Sequence, residues 1–443
     1  MRILSITAGA AGMYCGSCFR DNALATELMA RGHDVTLLPV YTPTRTDEPN
    51  VSQHRVLFGG ISVYLQQHLA LFRKTPRFLD RLWDSPGVIR AFASRGVSTD
   101  ARLLGDMTIS MLQGTQGVLR KEFDKLLEWT RDEPPPDVIN LPNSLLVALA
   151  APLRDGLKRP GCCTLQGEEL FLNGLAAPYR EQAIALIRKH APTVDRFIAV
   201  SGYCATFMSE LLEIPGARID VVPLGISMKG YEQRQDDGDA FRVGYFARVA
   251  PEKGLHVLAD AYVRFRRRIG TARVRLEAAG YLAPAHEAYL TDVRRVFQQA
   301  GLADEFSYRG ALDRAGKLAF LRGLDVLSVP ATYDEPKGMF LLEAMASGVP
   351  VVQPRRGGFV EIVEKTGGGL LYDLPGPPGP DSPDSLADAL HRLWSDRGMV
   401  RTLSARAFEG VRAHYTIEQS ASRLLEVYTA LLKSESPRRT SVA

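Results

Sequence analysis

The sequence predicts an α/β protein of two domains, each a parallel sheet with crossover helices. Two observations carry that prediction. Short runs rich in Val, Ile and Leu alternate with helical stretches in both halves of the chain, which is the pattern a parallel sheet requires. The polar run Gln233 to Asp239 (Gln-Arg-Gln-Asp-Asp-Gly-Asp) separates the two series and reads as a linker.

In the first series, Met1 to Thr7, Asp34 to Pro39, Asp137 to Leu141, Gly161 to Gln166 and Arg196 to Ser201 read as strands. Their apolar residues run almost without interruption, as expected of strands covered on both faces. Cys18 to Arg31 is the first crossover helix, and Asp220 to Gly225 closes this domain, set at 1–228. The second series, 240–412, holds Phe241 to Phe246, Val274 to Gly280, Phe306 to Arg309, Asp325 to Pro330, Val349 to Gln353 and Gly369 to Tyr372. Pro375 to Pro383 is a Pro/Gly loop. Ile417 to Leu432 has the apolar spacing of an amphipathic helix, bounded at 413–433, and 434–443 reads as a disordered tail.

Composition narrows the function classes. A chain of 443 residues, 45% hydrophobic and 23% charged, is ordinary for a globular protein with a large core. A net charge of +4, spread rather than striped, argues against a nucleic-acid partner. Met1-Arg2-Ile3-Leu4-Ser5-Ile6 reads as a strand rather than a signal peptide, since Gly9 and Gly12 break it. No apolar run reaches the length of about 18 residues that a membrane span needs, so a cytoplasmic protein is expected. Five cysteines, Cys15, Cys18, Cys162, Cys163 and Cys204, are then expected as thiols. Cys15-Gly-Ser-Cys18 has redox or metal spacing, but one C-x-x-C without a second ligand pair is a thin basis for zinc. Structural or substrate-loop use is expected instead.

The most informative stretch runs from Asp334 to Val352 (Asp-Glu-Pro-Lys-Gly-Met-Phe-Leu-Leu-Glu-Ala-Met-Ala-Ser-Gly-Val-Pro-Val-Val). Met339, Leu342, Met345 and Ala346 have helical spacing, and Gly348-Val349-Pro350 stops the helix before the next strand. Amides around Gly338 to Phe340 would open that helix at the mouth of the sheet, where a diphosphate can accept them. Glu343, one turn in, can take ribose hydroxyls, since an ionised carboxylate only accepts. Glu335, in the loop before the helix, is left for the sugar. The alternatives are a carboxylate complementing the helix dipole at Glu335 and a solvated helix face at Glu343.

With its two glutamates, this stretch resembles the E-x7-E signature of the retaining glycosyltransferases of family 4. Phe246-Ala-Arg-Val-Ala-Pro-Glu-Lys-Gly254 resembles that family's G-R-x-x-x-x-K-G loop, with Ala247 where glycine is usual. Gly357-Gly-Phe-Val-Glu-Ile-Val363 resembles its G-G-x-x-E-I-V turn, and Leu24-Ala25 through Arg31-Gly-His-Asp-Val35 its first helix and second strand. The matches run from about Met1 to Leu432. The resemblance implies the GT-B fold, two Rossmann-like domains facing each other across a cleft, with the acceptor on the first, the nucleotide-sugar on the second and the C-terminal helix packing back on the first.

It further implies roles for named residues. Arg248 and Lys253 would hold the donor pyrophosphate and act in catalysis with Glu335; fixed cations stabilise the charge that builds on a leaving phosphate. Donor contacts would come from Gly16, Gly310, Gly338, Met339, Phe340, Leu341 and Glu343. Front-face attack, with the departing diphosphate receiving the acceptor proton, would give retention without a strong protein base, a D-x-D triplet or any metal or other cofactor.

In the first domain, Cys15-Gly16 stands where the family has Gly-Gly, and Asn140-Leu-Pro-Asn143 and Thr164-Leu-Gln-Gly-Glu-Glu169 stand where many relatives carry histidines. Asn143 and Gln166 can position a hydroxyl or the sugar but are not bases at neutral pH. Glu168 could contact the acceptor, or be a solvated loop glutamate. Leu71 to Arg102 sets Arg73, Lys74, Arg77, Arg81, Arg90, Arg95 and Arg102 against Asp80, Asp84 and Asp100. Such a basic amphipathic stretch is usually a packed insertion, and can also lie on the inner face of an anionic membrane. The expected function is transfer of a sugar from a nucleotide-diphosphate donor to a hydroxyl of a glycan, lipid or small molecule. The alternatives are a non-transferring enzyme such as a sugar-nucleotide epimerase, or an idle sugar-nucleotide-binding module.

Overall fold

In a computed structural model, residues 1–9, 15–53, 56, 58, 104–234, 240–270, 272–374 and 383–439 are described. The basic stretch 71–102, most of the expected linker and the Pro/Gly loop lie outside them. The chain divides into two compact units, one formed by Met1–Gly225 with Ile417–Ala443, the other by Ile226–Thr416.

The first unit is a six-stranded parallel sheet of β1 (Arg2–Thr7), β2 (Asp34–Pro39), β3 (Val138–Leu141), β4 (Gly161–Leu165), β5 (Arg196–Ala199) and β6 (Ile219–Val221). The order across it is β2-β1-β3-β4-β5-β6. The direction of strand addition reverses between β1 and β3, which puts the topological switch point of this sheet at their carboxyl ends. The helix Gly16–Ala30 covers one face. Ile3, Leu24, Leu28, Val35, Cys162 and Ile198 share a core with Ile417, Ala421, Leu424, Tyr428 and Leu431, which carry the C-terminal helix Ile417–Arg439 into this unit. That helix runs on past Leu432, six residues into the segment read as a tail.

The second unit holds β7 (Phe241–Phe246), β8 (Val274–Ala279), β9 (Phe306–Tyr308), β10 (Val326–Leu327), β11 (Val351–Pro354) and β12 (Gly369–Tyr372), ordered β12-β11-β10-β7-β8-β9. Its reversal falls between β7 and β10. The two loops that carry the motif cations and the first motif glutamate therefore leave adjacent strands on the same edge of the sheet.

Two departures from the sequence reading have physical causes. The strand expected over Asp325 to Pro330 shrinks to Val326–Leu327. Past Leu327 the carboxamide of Gln353, oriented to satisfy both groups, pairs with the N–H and C=O of Val329 and takes the place of the ladder. The start of the expected linker is pinned. Arg234 is paired with Asp325 at 2.9 Å, and its amide donates to the Ser347 carbonyl at 2.9 Å. Asp325 also takes Arg397 at 2.9 Å and the amide of Arg242 at 2.7 Å, so it anchors the entry to this unit. Among the described residues, no helix is long and apolar enough to cross a membrane.

One position tests the fold directly. Gly254 has φ +73°, and a Cβ there would lie 1.8 Å from the Pro330 carbonyl oxygen, which cannot yield without moving the loop after β10. Gly254→Ala should destabilise by well over about 1 kcal/mol, the cost of left-handed strain alone. Gly216→Ala, whose Cβ meets nothing within 4 Å, should be near neutral. Denaturant midpoints of the two variants decide it.

Candidate functional site

The loop after β7 carries the two motif cations. Ala247 and Val249 donate to the carbonyls of Ala279 and Tyr281, and Tyr245 Oη donates to the Arg248 carbonyl at 3.0 Å, which fixes the loop from below. Arg248 leans back on Glu252 at 2.5 Å and stays about a third exposed. Lys253 turns inward. Its Nζ donates to Tyr333 Oη at 2.7 Å and to Glu335 Oε2, and it lies 4.9 Å from the centroid of the Tyr333 ring.

Glu335 comes from the loop after β10 and is buried. Oε2 also accepts from Tyr333 Oη, and Oε1 accepts from the amide of Lys337 at 3.4 Å. Burial alone pushes its carboxyl up, but Lys253, the hydrogen bonds from Lys253 and Tyr333, and Lys337 outweigh it and bring the value down to about 2. Glu335 is therefore ionised at neutral pH and only accepts. The Gly357-Gly358 turn explains the loop's position. Gly358 donates to the Glu335 carbonyl at 2.8 Å, and a Cβ on Gly357 would reach that oxygen at 2.6 Å.

The helix Met339–Ala346 follows, opened by Gly338 at φ +72°. By helix geometry the amides of Met339 and Phe340 have no carbonyl within the helix. The amide of Leu341, expected among the donor contacts, is already bonded to the Gly338 carbonyl at 2.9 Å, and its side chain is fully buried. Phe340 packs edge-on against Phe359 at 5.8 Å and lies 5.7 Å from the Lys253 ammonium.

Glu343 is not on a solvated helix face. It is 8% exposed, its Oε1 accepts from Lys317 Nζ at 2.6 Å, and Tyr231 Oη stands 3.4 Å from the same oxygen. The sequence reading missed Lys317, Tyr231 and Tyr333. Lys317 had a signal: it shares the buried face of the helix Arg314–Arg322 with Leu321, one turn on, and a lysine on such a face needs a partner. Gly310 follows β9 at φ +74°, and its carbonyl accepts from Gly280 at 2.9 Å. The structure thus brings Lys253 and Glu335 into contact, sets the Met339 helix just beyond them and puts Glu343 a further turn along.

In the first unit the expected residues form two groups. Gly16 begins the helix Gly16–Ala30 behind Cys15, and Cys18 is buried. The Cys18 thiol is pushed up by its hydrogen bond with Cys15 and by burial, so it is held protonated. Among the described residues, no three His, Cys, Asp or Glu side chains cluster as a metal site. The second group sits where β3 and β4 end. Glu168, expected in solvent or at the acceptor, is instead buried, with Oε1 taking the amide of Ser144 at 2.7 Å and Oε2 that of Gln166 at 2.6 Å. Both oxygens are committed to backbone, so Glu168 ties the two loops together. Gln166 Nε2 donates to the Pro142 carbonyl at 2.7 Å.

Two doubly wound units, the second with charged loops at its switch point, have the GT-B architecture, and solved structures agree. The chain matches sucrose-phosphate synthase from Thermosynechococcus elongatus with a TM-score of 0.71 at 19% identity, covering 98% of this chain and 99% of that one. It matches Anabaena HepE, solved with UDP, with a TM-score of 0.66 at 18% identity over 97% and 100%. The family model for group 1 glycosyl transferases matches residues 231–409, and that for the glycosyl transferase 4-like domain matches 22–225. The chain belongs to the group 1 glycosyltransferases.

Among curated relatives, a lipopolysaccharide core biosynthesis mannosyltransferase of Rhizobium meliloti is 28% identical over 54% of this chain and 67% of that protein. A GDP-mannose-dependent α-(1-6)-phosphatidylinositol monomannoside mannosyltransferase of Mycobacterium tuberculosis is 26% identical over 55% and 64%. A D-inositol 3-phosphate glycosyltransferase of Nocardia farcinica is 28% identical over 54% and 53%. The match thus spans about half to two thirds of these relatives' lengths.

The buried pair makes a pH prediction. In the wild type Glu335 titrates below its ordinary value, so its contribution is present above about pH 4.5 and lost as pH falls toward 2. In Lys253→Met the remaining burial raises the carboxyl instead, so the variant loses stability as pH rises and the unpaired carboxyl ionises. The gap in unfolding free energy between the two proteins should widen from pH 4 to pH 7, approaching the roughly 3–5 kcal/mol cost of a stranded buried charge. Thermal melts across that range check it, and adding Glu335→Gln to Lys253→Met should close the gap.

Proposed function

We propose that this chain is a retaining glycosyltransferase that moves a sugar from a nucleotide-diphosphate donor to a hydroxyl acceptor, without a metal. The observation that carries this reading is the Lys253–Tyr333–Glu335 cluster beside the opening of the Met339 helix. It offers a nearly dry cation, a carboxylate ionised at all working pH values and outward-facing helix amides within one loop crossing. That HepE was solved with UDP, and that a relative's name specifies GDP-mannose, is consistent with a nucleotide-sugar donor.

The chemistry follows from charge. The bond from the anomeric carbon to the donor's phosphate oxygen breaks, the bond from that carbon to the acceptor oxygen forms on the same face, and the acceptor proton passes to the leaving phosphate. Negative charge grows on the diphosphate as it departs. Arg248, Lys253 and the amides of Met339 and Phe340 face that charge and stabilise it more in the transition state than in the ground state. Glu335 cannot donate a proton, so its role is to accept hydroxyls of the moving sugar and to hold Lys253 in place. Glu343, with Oε1 held by Lys317, offers its carboxylate to the ribose.

Kinetics separate these roles once UDP-, GDP- and ADP-sugars have been screened for the donor. Lys253→Ala and Arg248→Ala should each lower kcat by on the order of 10²-fold, as for loss of one oxyanion donor. Glu343→Ala should raise KM with kcat nearly unchanged, since ribose contacts do not change during reaction. Near-wild-type activity of both Lys253→Ala and Glu343→Ala would remove the proposal. Membrane contact through 71–102 belongs to this reading only if liposome binding rises with anionic lipid and falls with salt.

A further inference from the structure

The turn that leads from β1 into its crossover helix carries two thiols that the transfer chemistry does not use. Cys15 sits at the N-cap of the helix Gly16–Ala30, in extended conformation at φ −126° and ψ 125°, and Cys18 is the third residue of that helix. The two thiols are hydrogen-bonded to each other. Their exposure is opposite, since Cys15 is partly exposed and Cys18 is 1% exposed. Cys162, Cys163 and Cys204 are buried as well, with Cys163 donating to the Thr164 carbonyl at 3.9 Å and Cys204 to the Leu165 carbonyl at 3.4 Å. All five cysteines are among the described residues, and Cys15 alone is open to solvent.

This spacing suits a bond between the two sulfurs. Side chains three apart on a helical turn have Cβ atoms about 5–6 Å apart, and a disulfide brings them to about 3.5–4.5 Å. Cys15 lies outside the helix, so it can close that difference without unwinding a turn. The burial assigns the order of reaction: the exposed sulfur meets a reagent first, and the buried one can follow only from inside. The Cys18 thiol is held protonated first by its hydrogen bond with Cys15, then by burial and by the charges of Cys15 and Asp21. Asp21 is fixed there by Thr7 at 3.0 Å and Arg20 at 3.3 Å. Bonding Cys15 to another sulfur removes the first and largest of these causes, which frees Cys18 to react.

We propose that Cys15 and Cys18 form a thiol–disulfide exchange site that reacts with small-molecule disulfides. Cys15, as the thiolate, attacks one sulfur of R–S–S–R; the bond from Cys15 to S–R forms, and the first R–S⁻ leaves with the proton that Cys15 has given up. Cys18 then attacks Cys15 Sγ, the second R–S⁻ departs, and the Cys18 proton goes to it. The protein loses two hydrogens and two electrons, and the small disulfide is reduced to two thiols. Excess thiol runs both steps backwards. The site rests on the two cysteines and their surroundings, so it stands whether or not the chain transfers a sugar.

The test is peptide mapping of the native, full-length protein after incubation with mixtures of reduced and oxidised glutathione, an acid quench and alkylation. Arg2 and Arg20 flank both cysteines with no Lys or Arg between, so trypsin releases them together in the peptide 3–20. That peptide should become lighter by two hydrogens and resist alkylation, reach the same end point from the oxidised and the reduced side, and revert with dithiothreitol. In the wild type the disulfide should outnumber the glutathione adduct by at least about tenfold at millimolar glutathione, because a thiol held in contact acts at a far higher effective concentration. Cys18→Ser should reverse that ratio and trap glutathione on Cys15, and Cys15→Ser should leave Cys18 unmodified in the folded protein. A wild-type peptide that stays reduced, or that carries only glutathione, while the melting transition shows the protein folded, overturns the proposal. So does a disulfide that forms only between chains or only in denaturant. The wild-type measurement decides the matter even where a variant fails to fold.

Discussion

A lysine and a glutamate buried against each other set the terms for the second unit. Lys253 and Glu335 come from loops after different strands, 82 residues apart in sequence, and meet because β7 and β10 are neighbours at the reversal of strand order. Neither charge tolerates burial alone. Their attraction locks both loops, Tyr333 closes the third side, and the Gly357-Gly358 turn seats the Glu335 backbone from above. The mouth of the sheet is therefore formed before any ligand arrives, and a diphosphate entering there competes with Glu335 for a lysine already in position.

The first unit solves the same problem with a different bond. Two neighbouring loops are again tied at the carboxyl end of a parallel sheet, but a single carboxylate ties them through backbone amides rather than through a counter-ion. Glu168 spends both oxygens on this.

The regular parts of this architecture were legible in the sequence because parallel strands are apolar on both faces. β2, β7 and β12 fall where the runs of Val, Leu and Phe place them, to the residue. β10 does not, because the group that ends it is the Gln353 side chain, brought alongside only by folding. The same limit applies to the site. The spacing of Glu335 and Glu343 is written in one segment and could be read. The partners that decide their charge environment, Lys253 for one and Lys317 with Tyr231 for the other, lie 26 to 112 residues away and are joined only by packing. Glu168 looked like a solvated loop residue since loops carry no periodicity to mark burial. Arg234 looked like linker for the same reason, although Asp325 holds it inside.

The path of the chain has a further consequence in the order of synthesis. The second unit is continuous, residues 226–416, whereas the first is completed by Ile417, Leu424, Tyr428 and Leu431, which fill the core beside β1 and β4. A ribosome therefore delivers every core residue of the second unit before it delivers the last strip of the first. The usual rule that the N-terminal domain matures first is inverted here: the earlier half of the chain waits with an uncovered sheet face, and the final helix decides when it closes.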